Sequence, residues 1–343
     1  MPVPDQRDPE LTRAVLEGWL TGRLPDARVE RLETPSTSGF SAETLLFTAG
    51  GADYVAKVAP TGYQIFPEPR FEEQYEVLRE LRSRGLLVPE VFWYEPDASL
   101  LGAPFFVMAA YPGRAPSDMP TYHQEGWVTE IGPDERGALW DAGLRAMASI
   151  HHQDVKGLEY VDQTKYGPTG WVQRVAYWEH YLSWGYSGKV PVADRALEWL
   201  RANAPVEERP PGLLWGDSRI GNLLFVEGEV TAILDWEMVT LGQPEEDLSW
   251  YLYLDRHHKE AVGSEGLPGF PTREETIARY AGLLGRDLDD LRPYDVLSGL
   301  KFAAVMARIG QLFIHYGLVG PDDPFPYDNT ATRVLENVLD ELS

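Results

Sequence analysis

The sequence predicts an α+β chain in which a small antiparallel sheet comes first and a larger, mainly helical part follows. Three observations carry this. Short β-leaning runs crowd residues 1–111, stretches of helical period fill residues 112–343, and Pro112-Gly113 makes a sharp break between them. With 343 residues, 43% of them hydrophobic, the chain has apolar material for one large or two modest cores.

The elements follow in order. An opening helix is expected over 10–21, then three strands over 27–32, 44–48 and 54–59, forming a meander. Residues 71–84 set Phe71, Gln74, Tyr75, Leu78 and Leu81 on one helical face, and Gly85 supplies the stop signal. Two more strands, 91–94 and 105–111, complete the first part. Helices are expected over 135–152, 171–184, 192–202, 273–284, 294–316 and 330–342. One island of strand character interrupts them at 213–215, 223–226 and 230–234, with Gly228 turning the last two into a hairpin.

Composition removes several classes of function. Lys+Arg 30 against Asp+Glu 54 gives a net charge of -24, which repels polyanions and anionic membranes and argues against nucleic-acid or membrane partners. Without cysteine there is no disulfide scaffold, thiolate nucleophile, Cys-ligated zinc or iron–sulfur cluster. No stretch reads as a bilayer span and the N-terminus lacks a leader pattern, so the expected location is the cytoplasm.

The island carries the chemistry. In LLWGDSRIGNLLFVEGEVTAILDWE, the polar residues Asp217, Asn222 and Asp235 interrupt apolar runs and fall on the loops flanking the hairpin. Taken singly, an Asp after Gly is an ordinary turn former. Together, Asp-x-x-x-x-Asn with an Asp thirteen residues on, closing a strand, suits phosphoryl transfer. One carboxylate accepts a hydroxyl proton, while a carboxamide and a second carboxylate give Mg²⁺ the hard oxygen ligands it prefers.

These residues, with FFVMAAYPGR and ILDWEMVTLGQPEEDLSW, resemble the aminoglycoside phosphotransferase and choline kinase group of protein-kinase-like small-molecule kinases. The branch it is most similar to includes bacterial aminoglycoside-phosphotransferase-like proteins and the kinase-like domain fused to some acyl-CoA dehydrogenases. The resemblance implies a two-lobed protein-kinase-like fold, with a nucleotide-binding lobe over 1–111 and a helical lobe with catalytic loop and acceptor site over 112–343. It implies Asp217 as catalytic base, Asn222 and Asp235 as magnesium ligands, and Asp247 as a structural acid on the following helix. Two departures stand out. Trp215 replaces the family's usual His before Gly-Asp, and Gly242-Gln243-Pro244 replaces the usual Gly-Asp-Pro.

In the first part, Lys57 is one of only six lysines and sits on the third strand of the meander. It reads either as a lysine for the nucleotide's α and β phosphates or as a solvent-facing residue of an edge strand. The loop before the second strand resembles the family's nucleotide loop. It lacks a G-x-G-x-x-G or Walker pattern, so contacts would come from backbone and hydroxyls of Ser38, Gly39, Phe40 and Ser41 through Ala42. Protein kinases orient the strand lysine with a helix Glu. Here Gln74 takes that inward position, and either Gln74 or one of Glu72, Glu73 and Glu76 would serve. The run ending Met108-Ala109-Ala110-Tyr111 resembles the family's hinge, whose backbone pairs with adenine while Met108 backs the pocket.

The expected activity is magnesium-dependent transfer from ATP, with GTP as an alternative donor, to a hydroxyl of an aminoglycoside-like or hydroxyacyl-CoA-like small molecule. The CoA reading requires a basic patch, for which Arg174, Arg195, Arg292 and Arg308 are candidates. A pseudokinase that binds nucleotide and a protein partner is the alternative, suggested by Trp215, Ala109 and Gln74. His151-His152 reads as a helix end, since neighbouring residues on a helix point about 100° apart and share an ion poorly. His257 and His258 receive no role.

Overall fold

The structure, a computed structural model, describes residues 7–35, 41–205 and 209–342. The chain divides into two compact units, Met1–Tyr111 and Pro112–Ser343.

The first unit opens with α1 (Pro9–Leu20), whose start is fixed by the Asp8 carboxylate accepting from the amides of Glu10 and Leu11 at 2.9 and 3.2 Å. Strands β1 (Val29–Glu33), β2 (Glu43–Ala49) and β3 (Ala52–Val58) form the expected meander. Gly50 and Gly51, at φ +57° and +77°, make the two-residue turn between β2 and β3, a conformation glycine adopts without steric cost. Helix α2 (Phe71–Ser83) ends before Gly85, at φ +86°. Its buried face is Phe71, Gln74, Val77, Leu78 and Leu81; Tyr75 is half-buried and lies against Tyr94 instead. After β4 (Val91–Glu95) and the short α3 (Ala98–Leu101), β5 (Phe105–Ala109) inserts between β3 and β4. The result is a five-stranded antiparallel sheet in the order β1-β2-β3-β5-β4.

The second unit contains α4 (Trp127–Glu130), α5 (Pro133–His151), α6 (Trp171–Gly185) and α7 (Pro191–Ala202). Then come β6 (Gly212–Leu214), β7 (Leu223–Val226), β8 (Glu229–Ile233) and β9 (Thr240–Gly242). The chain finishes with α8 (Pro244–Glu260), α9 (Arg273–Leu284), α10 (Arg292–His315) and α11 (Thr330–Glu341). β7 and β8 form the expected hairpin, turning through Glu227 and Gly228 at φ +52° and +84°. β6 does not join them. It pairs antiparallel with β9, a three-residue strand too short to leave a period in the sequence.

Helix α10 packs against α6, α7, α8 and α11. Contrary to the expectation that no stretch is apolar enough to span a bilayer, α10 is that long and apolar by composition. Most of its apolar window is buried, because it packs against four helices of the unit.

Candidate active site

The chain leaves β6 through Trp215 and Gly216 and reaches Asp217. Gly216 lies at φ +87°, and a Cβ there would strike the Met238 carbonyl, so this turn requires glycine. The amides of Trp215 and Gly216 donate to the two carboxylate oxygens of Asp247 at 2.7 and 2.9 Å, and Ser218 Oγ donates to the Asp247 carbonyl at 2.7 Å. Asp247, on the first turn of α8, is fully buried; His151 Nε2 lies 2.9 Å from it, and His151 Nδ1 meets the Tyr280 hydroxyl. Burial alone would raise the Asp247 carboxyl, but His151, Lys301 and the Gly216 amide outweigh it and hold it below the usual carboxylate range. The acid therefore pins the loop's backbone, as a charged acceptor of two N–H bonds does well.

Asp217 is itself held at both oxygens. Trp250 Nε1 donates to Oδ1 at 2.9 Å, while Asn222 Nδ2 and Arg219 Nε donate to Oδ2 at 2.7 and 3.0 Å. Arg219 also reaches Asp118. Burial pushes the Asp217 carboxyl up; Arg219, Lys301 and the Trp250 N–H pull harder and leave it lowered, hence ionised at neutral pH.

Asn222 closes a single turn before β7. Its carbonyl accepts from Leu234 N at 2.8 Å, and the Leu223–Ile233 register sets it beside the end of β8, where Asp235 follows. Asp235 adopts φ +53°, rare for a residue with a Cβ. The Trp215 indole N–H donates to the Leu234 and Asp235 carbonyls at 2.8 and 3.1 Å, tying the loop before Asp217 to the one carrying Asp235. At the position where the resemblance expects His, this chain thus has an indole donor to the backbone. Asp217, Asn222 and Asp235 come together in this unit.

The donor set fits magnesium. Asn222 spends Nδ2 on the Asp217 carbonyl and carboxylate, so Oδ1 is the amide atom that could serve as a ligand, and Asp235 could add a carboxylate. Among the described residues no group of three or more His, Asp or Glu side chains could hold a metal. Two protein oxygens suit an ion that keeps waters and takes substrate phosphates.

In the first unit, Lys57 is half-buried and Nζ lies 3.3 Å from Thr44 Oγ1 on the neighbouring strand. Strand alternation and the Val55–Met108 and Lys57–Phe106 pairs put Lys57 and Met108 on one sheet face. Phe71 of α2 lies against Phe106 on that face, ring centroids 5.8 Å apart. Gln74 is buried, and its amide donates to the Pro69 carbonyl at 2.7 Å. Of the three glutamates, Glu76 pairs with Arg79, Glu73 lies 3.8 Å from Arg70, and Glu72 is exposed. The N–H of Ala109 donates to Glu90 and that of Ala110 to Asp53, at 2.8 and 3.0 Å; Tyr111 is half-buried. Ser41 is half-buried at the entry to β2, while Ser38, Gly39 and Phe40 lie outside the described residues.

Sequence reasoning gave no site role to Arg219, Trp250, Lys301 or His151. The one local signal is Lys301, a lone charge in the apolar run of α10. The proposed basic patch is corrected at Arg174. This residue is buried and bonded to Glu246 through Nε and Nη2 at 3.0 and 2.8 Å; its remaining nitrogen, Nη1, has no hydrogen-bond partner but is buried as well, so the guanidinium presents no surface patch to an external anion. Arg195 and Arg292 are paired too, with Glu336 and Asp340 and with Asp290.

A unit built on an antiparallel sheet, followed by a helical unit with an Asp-Asn-Asp loop constellation, is the protein-kinase-like fold. Among solved structures, a candidate aminoglycoside phosphotransferase from Ralstonia eutropha JMP134 matches with a TM-score of 0.69 at 22% identity, covering 94% of this chain and 98% of that one. A mutant of aminoglycoside phosphotransferase APH(4)-Ia, in ternary complex with ADP and hygromycin B, matches at 0.62 and 17%, covering 95% and 98%. The chain belongs to the phosphotransferase enzyme family, APH, whose model matches residues 33–294. Acyl-CoA dehydrogenase family member 11 of Gallus gallus is 32% identical over 281 residues, 78% of this chain and 35% of that protein. The Mus musculus counterpart is 27% identical over 340 residues, 94% and 42%. The chain thus spans less than half the length of these relatives.

Proposed function

We propose that this chain is a cytoplasmic kinase that transfers the γ-phosphoryl group of ATP, or of GTP, to a hydroxyl of a small molecule, in a magnesium-dependent reaction. The observation that carries the reading is the hydrogen bond from Asn222 to Asp217 beside the loop of Asp235, which supplies a base and two metal ligands from one hairpin. Asp217 orients the acceptor hydroxyl and takes its proton as the acceptor oxygen bonds to Pγ and the bond from Pγ to the bridging oxygen breaks, releasing the nucleoside diphosphate. A carboxylate whose two oxygens are already fixed by Trp250, Asn222 and Arg219 loses little freedom in doing so. Magnesium on Asn222 and Asp235 would neutralise charge on the phosphates.

Residues 1–111 serve as the nucleotide-binding lobe and 112–343 hold the catalytic loop and acceptor site. Lys57 takes the α and β phosphates, assisted by Ser38, Gly39, Phe40 and Ser41, and Gln74 shapes the helix face above it. Met108 backs adenine. With the Ala109 and Ala110 amides spent in the sheet, the Ala109 carbonyl and the Tyr111 amide are the groups we assign to its edge. For the acceptor, the neighbour in complex with hygromycin B supports an aminoglycoside-like molecule. The acyl-CoA dehydrogenase relatives, more similar in sequence, support a hydroxyacyl-CoA. Both belong in one screen.

The test is thermal unfolding with ATP or GTP, with and without Mg²⁺. Nucleotide at 100 times its Kd stabilises the wild type by about 2.7 kcal/mol, and Asp235→Ala loses the magnesium-dependent part. Asp217→Asn keeps the shift but loses most turnover. No shift with either nucleotide overturns the kinase reading; a shift without turnover for any acceptor turns it toward a pseudokinase.

A further inference from the structure

Lys301 is 1% exposed in the middle of α10, and no role in the chemistry above uses it. A buried ammonium is costly unless several groups compensate it. Here the compensation converges on one residue. Nζ donates to the Gly216 carbonyl, the peptide that leads directly into Asp217. The same ammonium lies 3.9 Å from the ring centroid of Trp250, whose indole N–H holds Asp217 Oδ1 at 2.9 Å, and 5.6 Å from that of Trp178. The charged groups coupled to it are Glu246 and Asp247 on α8, Asp217 on the loop and Arg174 on α6.

Gly216 is therefore clamped at both flanking peptides, its N–H by Asp247 and its carbonyl by Lys301. At φ +87° with no Cβ, this residue has the freest backbone of the loop, so an unclamped carbonyl would let the Asp217 Cα–Cβ direction swing.

We propose that Lys301 is a positioning residue for Asp217, fixing it through the Gly216 carbonyl and through the Trp250 ring. The inference rests on the kinase reading for its effect on rate, but not for the coupling itself. Burial pulls the Lys301 ammonium down to about 8, so its charge is lost within reach of ordinary assays.

Two measurements test it. The first needs no substrate: six lysines make ¹⁵Nζ-lysine NMR tractable, with the Lys301 signal assigned by its loss in Lys301→Met. In Asp217→Asn the Lys301 titration midpoint falls, because a negative neighbour is gone; an unchanged midpoint overturns the coupling. The second follows ADP release from ATP, with water or a screened acceptor. Lys301→Met keeps the magnesium–ATP thermal shift while turnover drops about 10- to 100-fold, the size expected for a misplaced catalytic group. Lys301→Arg, charged at every pH, restores turnover and removes the decline that the wild type shows above pH 8. Turnover lost only in step with folded protein, or a pH profile identical in all three, reduces Lys301 to a structural residue. A wild type that releases no ADP while the NMR coupling is present sinks the kinase reading and leaves the positioning geometry standing.

Discussion

Trp215 ties two loops of the site together through a single donor. Its indole N–H feeds two carbonyls, Leu234 and Asp235, and the side chain is fully buried. Trp215→Phe keeps an aromatic ring but removes the donor and the volume of the indole's five-membered ring. The expected cost is at least about 1–2 kcal/mol in urea unfolding from the lost bond, with the cavity adding to it, and a weaker magnesium–ATP shift, because the Asp235 backbone loses its tether. Stability lost with an unchanged shift would mean that the tether does not serve the metal residues. Asp217, Asn222 and Asp235 were legible in sequence because each is a polar interruption of an apolar run. Arg219, Trp250 and Lys301 were not, because an arginine in a loop and a tryptophan in a helix have common explanations. Their meaning comes from contacts with distant parts of the chain, Trp250 to Asp217 across 33 residues, Lys301 to Gly216 across 85 and Arg219 to Asp118 across 101.

At the scale of elements, α8 was the one long helix that periodicity did not find, beside the four-residue α3 and α4. Pro244 through Asp255 are all buried, so the segment has no polar face for a 3.6-residue pattern to reveal. It opens with three consecutive acids, and each is answered from a different element: Glu245 by Arg286, Glu246 by Arg174 of α6, and Asp247 by His151 of α5. A helix N-terminus favours such charges, but at this depth only specific partners make them tolerable. Arg174→Met leaves Glu246 charged and buried without its partner, and should cost about 3–5 kcal/mol in urea unfolding. Adding Glu246→Gln should recover much of that loss. A single-variant cost below about 1 kcal/mol would show that water reaches Glu246. By contrast, the helices with one wet face, α2 and α9 among them, were read to within a residue because half their surface is polar.

For the molecule as a whole, the net charge of -24 would suggest that acid, by discharging carboxylates, relieves repulsion and stabilises the fold. Buried groups oppose this. Burial, with His258 beside it, pulls the His257 imidazole down to about 4, and its Nδ1 has no hydrogen-bond partner. The unfolded chain therefore takes up a proton as pH falls from 6.5 toward 4 and the folded chain does not, so stability is full above 6.5 and is lost through that window. The upper bound is about 3 kcal/mol for the shift of His257. Asp255 adds a second loss at lower pH: burial would raise it, but His123, Lys259 and Tyr122 hold it at about 2, so its contribution disappears between 3.8 and 2. In urea titrations at about 0.15 M salt, where exposed charges are screened beyond about 8 Å, stability should decline from pH 6.5 to 4. His257→Gln, which cannot take up a proton in either state, should flatten that decline. Stability that rises through this window in the wild type would mean that relief of the acidic surface outweighs the buried histidine.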